Sequence, residues 1–247
     1  MASELTELLL AARRSGVAVD PLDPALVPAS AEAAYAVQNE IVAALGPVGA
    51  WKVTPKPADG PCFAAPILKS GVYQSGAVLK TADLPGIGIE VEVAVTIGQD
   101  LPGKPGGYGP DDIKAALASI HIAIEVLATR YKDRKAAPQL AGIADLQSSG
   151  AVIVGPPVPA SSLPEFGQQA MALFYDGTEI KTTAGNADTD NVLAALVWLA
   201  DHATARGLKL TAGTVVITGA RIGPADVSAK LISAEAPGLG RVAFNLV

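Results

Sequence analysis

The chain has 247 residues, of which 50% are hydrophobic, 17% charged and only 4% aromatic. This is enough apolar material for a core of Ala, Val, Leu and Ile, and it excludes a disordered chain. The formal net charge of −6 and the scarcity of rings exclude nucleic acid as an expected partner, because phosphates are held by accumulated Lys and Arg and single strands by stacked aromatics.

The single cysteine, Cys62, cannot form an intrachain disulfide, and a reducing, cytoplasmic setting is expected. The N-terminal residues carry Glu4 and Glu7 before Arg13 and Arg14, the reverse of a signal peptide's basic start. The long apolar stretch 115–128 is interrupted by His121 and Glu125 and the stretch 192–200 is too short, so no membrane span is expected.

In chain order, Leu5, Leu8, Leu9 and Ala12 share one helical face between a capping Ser3 and a terminating Gly16. A proline-bearing linker, 17–29, leads to a second helix capped by Ser30, with Ala33, Val37, Ile41 and Leu45 at every fourth position, ended by Gly46 and Pro47. Short strand-like runs then follow at 50–53, 87–97, 120–126, 151–154, 171–175, 214–218, 227–232 and 241–246. Asp176-Gly177 and 237–240 have the composition of turns. Two more helices are expected, one after Pro110-Asp111-Asp112 and one over 191–206.

The most informative run is 87–97. Along a strand, Ile87, Ile89, Val91, Val93, Val95 and Ile97 face one side, while Gly88, Glu90, Glu92, Ala94 and Thr96 face the other. Two carboxylates about 6 to 7 Å apart along the strand are costly as bare like charges beside a core. In the run 120–127, Glu125 stands alone among apolar residues and needs a cation, a partner or a proton. One reading gathers all three glutamates about a hard, oxygen-ligated ion such as Mg²⁺, Mn²⁺ or Ca²⁺. The other leaves Glu90 and Glu92 on a solvated strand face and pairs Glu125 with Arg130 or a lysine. His121 shares the parity of Glu125 but reads first as a hydrogen-bonded core residue. Cys62 reads as a small buried apolar residue, and 186–190 as a loop and cap before the last helix.

The ordered set Glu90-Val-Glu92, Glu125-Val-Leu-Ala-Thr-Arg130-Tyr131, Ala144-Asp145 and Ser148-Ser149 resembles the 2-keto-4-pentenoate hydratase branch of the fumarylacetoacetate hydrolase superfamily. Ala34-Tyr35-Ala-Val-Gln38, Ala50-Trp51-Lys52-Val53, Trp198-Leu199-Ala200, Gly207-Leu208 and the segment 210–220 extend the resemblance over nearly the whole chain. It implies an α+β fold, a curved mixed β-sandwich or β-roll with peripheral helices. The chain would form a single catalytic domain over 1–247, with a helical preface over 1–48 and a β-rich metal-binding core over 49–247.

The resemblance further implies that Glu90, Glu92 and Glu125 ligate the metal. Lys52 becomes a catalytic or substrate-carboxylate group, and Asp145 a catalytic group orienting Lys52 or a water, with a local turn bond as its other reading. Ser148 and Thr218 become substrate contacts, and Arg130 a structural partner for acidic groups. The implied activity is a hydro-lyase adding water to 2-hydroxy-2,4-dienoates in aromatic-compound breakdown, Mg²⁺-dependent (or Mn²⁺/Ca²⁺), acting on a small 2-oxo acid as a homo-oligomer. Decarboxylation of a 2-oxo enedioate, hydrolysis of an acylpyruvate, and a non-catalytic metal-binding paralogue are the competing readings. The sequence departs from the family pattern at Thr54, Ala128 and Leu146, and 54–79 lacks an Asp-Pro-x-x-Gly motif.

Overall fold

The computed structural model describes residues 2–55, 60–162, 164–185 and 187–247. Helix α1 (Glu4–Ser15) begins where the Ser3 hydroxyl accepts from the Thr6 N–H, and ends at Gly16 in the left-handed conformation, φ 71°. Helix α2 (Ala31–Leu45) is capped by Ser30 in the same way. Both bury an apolar stripe, Leu5 and Leu9 from α1 and Ala34, Val37 and Ile41 from α2, against Ala65, Ile143 and Leu146 of the body. Such tertiary packing is what makes short helices persist.

The body begins with β1 (Val48–Val53) and β2 (Ala64–Leu68), followed by β3 (Val72–Gln74), β4 (Ala77–Leu79) and β5 (Gly88–Ile97). Helix α3 (Pro110–Ala116) runs into β6 (Leu117–Leu127), and α4 (Gln139–Ala144) precedes β7 (Ser149–Val154) and β8 (Val158–Pro159). After β9 (Met171–Tyr175) and β10 (Thr178–Thr183), helix α5 (Thr189–Ala205) leads to β11 (Val215–Ala225), β12 (Leu231–Ala236) and β13 (Gly240–Leu246).

The larger sheet has the order β2-β1-β11-β5-β6-β7-β3, with β8 added to β6, and the smaller has the order β10-β9-β12-β13-β4. Strands β2 and β3, at opposite ends of the larger sheet's order, are joined by a single short turn, Lys69–Gly71. The larger sheet therefore rolls up until β2 lies against β7. The corner is tight: a Cβ on Gly71 would stand 2.9 Å from the Gly150 carbonyl oxygen.

Strand alternation divides this roll into two environments. Its inner face carries Ala50, Ile67, Ala94, Ala123, Val152, Val154 and Ile217. Its outer face, with Trp51, Val91, Val93, Val95, Ile122 and Ile124, packs with Leu173, Ala234, Val242 and Phe244 of the smaller sheet and with Leu193, Leu196 and Leu199 of α5. Ile122 and Ile124 are fully buried, and truncating either to Ala would cost roughly 2 to 5 kcal/mol.

Two expected strands shift. The strand read at 227–232 lies at 231–236, because the Asp176 carboxylate accepts from the Leu231 N–H at 2.8 Å and fixes its start there. The strand read at 214–218 continues to Ala225 through register shifts after Ile217, Ala220 and Ile222. Gly223 makes this possible, since at φ +113° a Cβ there would stand 2.4 Å from the Ile89 carbonyl oxygen. The turn at Asp176-Gly177 joins β9 to β10, both residues having positive φ as a tight hairpin requires. No helix among the described residues is long and apolar enough to cross a membrane. Residues 56–59 of the 54–79 segment, and Asn186 of the 186–190 loop, lie outside the described residues.

Candidate metal centre and its pocket

Glu90 and Glu125 are directly opposed across the β5–β6 ladder, and Glu92 is opposed by Ala123. All three carboxylates project into the roll, at one end of its apolar lining. One oxygen from each lies within 4.8 Å of the others, with Glu92 and Glu125 buried and Glu90 partly so. This is gathering on one site, not a solvated strand face.

Lys52 reaches the same point from β1. In strand order β1 and β6 are separated by β11 and β5, three spacings or about 14 Å in a flat sheet. Yet Lys52 Nζ lies 2.6 and 2.7 Å from the two Glu125 oxygens and 3.2 Å from the Gln147 carbonyl oxygen. Only the curl of the sheet brings the two together. Glu125 is thus paired with a lysine while also belonging to the acidic cluster.

Gly219 completes the cradle by donating its N–H to Glu92 Oε2 at 2.6 Å. A side chain is excluded there: φ is +95° and a Cβ would stand 2.5 Å from Pro55 Cδ. Arg221, also buried, donates through Nη1 to the Thr218 and Gly219 carbonyl oxygens and forms no ion pair with Glu92 among the described residues.

The electrostatics follow from burial. Desolvation, then the negative charges of Glu125 and Glu90, push the Glu92 carboxyl well above the ordinary carboxylate range. Desolvation also raises Glu125, to about 7, against the opposing pull of Lys52. For Lys52, desolvation is the largest influence and lowers its pKa, but the attraction of Glu125 and Glu90 exceeds it, so the ammonium is held protonated. Three carboxylates face the Lys52 ammonium and, further off, the Arg221 guanidinium that acts on Glu92, and they leave a net negative charge when all are ionised. A cation offsets that charge, and the all-oxygen donor set is that of a hard divalent ion. The residues fit such a metal.

A cavity of about 340 Å³ opens over the cluster, lined by Lys52, Thr54, Pro55, Glu90, Glu92, Gln147 and Gly219. This is within the range that holds a small ligand. Four of the expected site residues do not line it: Glu125, which is buried behind Lys52, and Asp145, Ser148 and Thr218. Asp145, fully buried, accepts from the Arg130 Nε and backbone N–H and pairs with Arg13 at 3.4 Å. It does not orient Lys52, whose partners are Glu125 and Gln147. Thr218 gives its proton to the Val93 carbonyl oxygen at 2.8 Å and accepts from Arg221, so its hydroxyl is committed within the sheet.

Ser148 contributes backbone, its N–H donating to the Asp145 carbonyl oxygen and its carbonyl accepting from Ala128. Gln147 occupies the pocket instead, because Leu146, Gln147 and Ser148 all have positive φ and the chain turns left-handed there. Nothing in the sequence marks that turn. His121 is a satisfied core residue, bonded to Thr96, Ser119 and the Gly155 carbonyl oxygen. Cys62 is buried. Gln38 ties α2 to the body through the Ala64 and Ile143 carbonyl oxygens.

Residues 70–247 match the family model described as fumarylacetoacetate (FAA) hydrolase C-terminal. The chain belongs to the fumarylacetoacetate hydrolase family. Within it, a 2-keto-4-pentenoate hydratase of Paraburkholderia phymatum is 32% identical over 98% of this chain and 94% of the relative. One from Burkholderia vietnamiensis is 33% identical over 74% of this chain and 69% of the relative. Among solved structures, 4-oxalocrotonate decarboxylase from Pseudomonas putida G7, complexed with calcium and acetate, superposes with a TM-score of 0.83 at 21% identity, covering 98% of this chain and 96% of that one. The rolled mixed sheet with peripheral helices is thus the fumarylacetoacetate hydrolase fold.

Proposed function

We propose that the chain is a divalent-metal-dependent hydro-lyase of the 2-keto-4-pentenoate hydratase type, adding water to 2-hydroxy-2,4-dienoates in aromatic-compound breakdown. The observation that carries the reading is the convergence of Glu90, Glu92 and Glu125 within 4.8 Å, with Lys52 at the pocket wall. The two hydratase relatives, 32% identical over 98% of this chain and 33% identical over 74% of it, support hydration, and solved relatives complexed with calcium, magnesium or Mn²⁺ support a divalent ion without fixing which.

When bound by Glu90, Glu92 and Glu125, the ion supplies Lewis acidity to the 2-oxo carboxylate head of the substrate. The chain supplies the rest. Lys52, held by Glu125 and the Gln147 carbonyl, presents a fixed positive charge beside that head and orients it. The Gly219 N–H fixes Glu92, so the carboxylate does not have to reorganise when the ligand enters. Desolvation by the roll strengthens each of these interactions. Asp145 acts as scaffold, holding Arg130 and Arg13 beneath the turn that carries Gln147.

Incubation of the purified protein and Mg²⁺ with 2-hydroxypenta-2,4-dienoate tests the reading: the diene absorbance should bleach with no release of CO₂. A 27%-identical 4-oxalocrotonate decarboxylase relative makes decarboxylation the second reading, and CO₂ release from a 2-oxo enedioate would establish it instead. If Mg²⁺ binds but no 2-oxo acid in a panel reacts, the chain is a non-catalytic paralogue.

A further inference from the structure

Gln147 borders the cavity beside Lys52, Glu90 and Glu92, and the function proposed above uses only its backbone carbonyl. Its conformation is costly. Leu146, Gln147 and Ser148 have φ of 52°, 51° and 57°, three successive side-chain-bearing residues in a region that L-residues disfavour. Such strain persists only where the surroundings impose it. Here the Ser148 N–H is held by the Asp145 carbonyl oxygen at 3.0 Å and the Gln147 carbonyl by Lys52 at 3.2 Å. The result is to set the Gln147 side chain at the pocket wall.

The carboxamide is unfinished. Its Oε1 is shut off from water and accepts no hydrogen bond, although a buried carbonyl ordinarily has a partner. The terminal torsion of a glutamine is soft, so a ligand carrying a donor can draw this oxygen into the cavity and satisfy it. A 2-hydroxydienoate has no donor beyond the enol hydroxyl of its head group. The product of hydration does, at the carbon that has gained water.

We infer that Gln147 Oε1 is the hydrogen-bond acceptor for the hydroxyl that hydration places on the substrate chain, which makes the pocket selective for 4-hydroxy-2-oxo acids over their deoxy analogues. This rests on the hydratase reading and names the residue that recognises the added water. Gln147 makes or breaks no bond; it is a specificity residue that positions a hydroxyl.

The test is calorimetric titration of Mg²⁺-loaded protein with 4-hydroxy-2-oxopentanoate and with 2-oxopentanoate. One neutral hydrogen bond corresponds to roughly five- to tenfold tighter binding of the hydroxy acid. In Gln147→Met, close in size but lacking the acceptor, the ratio of the two Kd values should fall below about twofold, whatever the substitution does to the affinity common to both acids. Gln147→Ala should give the same result and serves if the Met variant does not fold. Equal binding of both acids by the unmodified protein overturns the inference alone, as does a preference that survives in the variants. Binding of neither acid overturns the 2-oxo acid reading together with it.

Discussion

Lys52 Nζ sits 2.6 and 2.7 Å from the two carboxylate oxygens of Glu125, a fully buried residue on a strand two removed from its sheet neighbour. The pair closes the roll electrostatically as the β2–β3 turn closes it covalently. Neither charge could be left in this interior without the other.

Lys52→Met should therefore do more than abolish turnover. Leaving one member of a buried pair uncompensated costs about 3 to 5 kcal/mol, and for a chain of this size thermal melting should fall on the order of 10 °C. The loss should be larger at pH 8 than at pH 6, because at the lower pH Glu125 can take up a proton instead. A melting curve unchanged at pH 8 would contradict the pairing.

Glu92→Gln should change the metal-free and metal-loaded proteins in opposite directions. The amide keeps an oxygen for the Gly219 N–H but removes one of three crowded carboxyl groups. The metal-free protein should melt at the same temperature or higher, while the Kd for Mg²⁺ weakens at least about tenfold and the melting increment given by Mg²⁺ disappears. Unchanged Mg²⁺ affinity by calorimetry would rule Glu92 out as a ligand.

Asp145→Asn separates scaffold from site. It strands Arg130 and Arg13, the latter already lowered to about 10 by burial and by the like charge of Arg130. A stability loss of about 3 to 5 kcal/mol is expected, with Mg²⁺ affinity unchanged in the protein that remains folded. A loss of metal or substrate affinity without a loss of stability would restore Asp145 to the site.

The gathering of Glu90, Glu92 and Glu125 was half-legible: alternation in 87–97 and 120–127 places Glu90 and Glu92 on one strand face and leaves Glu125 conspicuous among apolar residues, but it left a solvated face as the other reading until the family resemblance was added. The helices announced themselves through Ser3, Gly16 and Ser30. What escaped is what depends on backbone sign or on partners far along the chain. Polar, exposed β10 has no burial pattern to reveal it, and three-residue β3 and β4 are too short to show a period. Gln147 could not be separated from Ser148, since the left-handed turn that selects between them is imposed by Asp145 and Lys52. Thr218 looked like a substrate donor because its acceptor, the Val93 carbonyl, belongs to a strand 125 residues away.

The pH response of the cluster can be worked out from its burial. Glu92 and Glu125 have folded pKa values raised above the unfolded 4.5, Glu125 to about 7, so the folded metal-free protein holds protons that the unfolded chain has released. Their stabilisation is complete below pH 4.5 and is lost as pH rises through the folded pKa of each, about 7 for Glu125. His202 acts in the other direction: burial against Trp198 and Tyr35, then the Arg206 charge, lower it from 6.5 to about 4, and its contribution is lost as pH falls below 6.5. Above pH 6.5 the unfolded His202 is less than half protonated and the folded one neutral, so its opposing contribution is small and the carboxylates dominate. Melting in EDTA should therefore decline between pH 6.5 and 8.5, while the increment given by Mg²⁺ grows, because the ion no longer has to displace protons from its ligands. Calorimetry at pH 6.5 in buffers of different ionisation enthalpy should show proton release on Mg²⁺ binding, diminishing by pH 8.5. A Mg²⁺ increment that shrinks as pH rises would mean that the buried carboxyls are not where the ion binds.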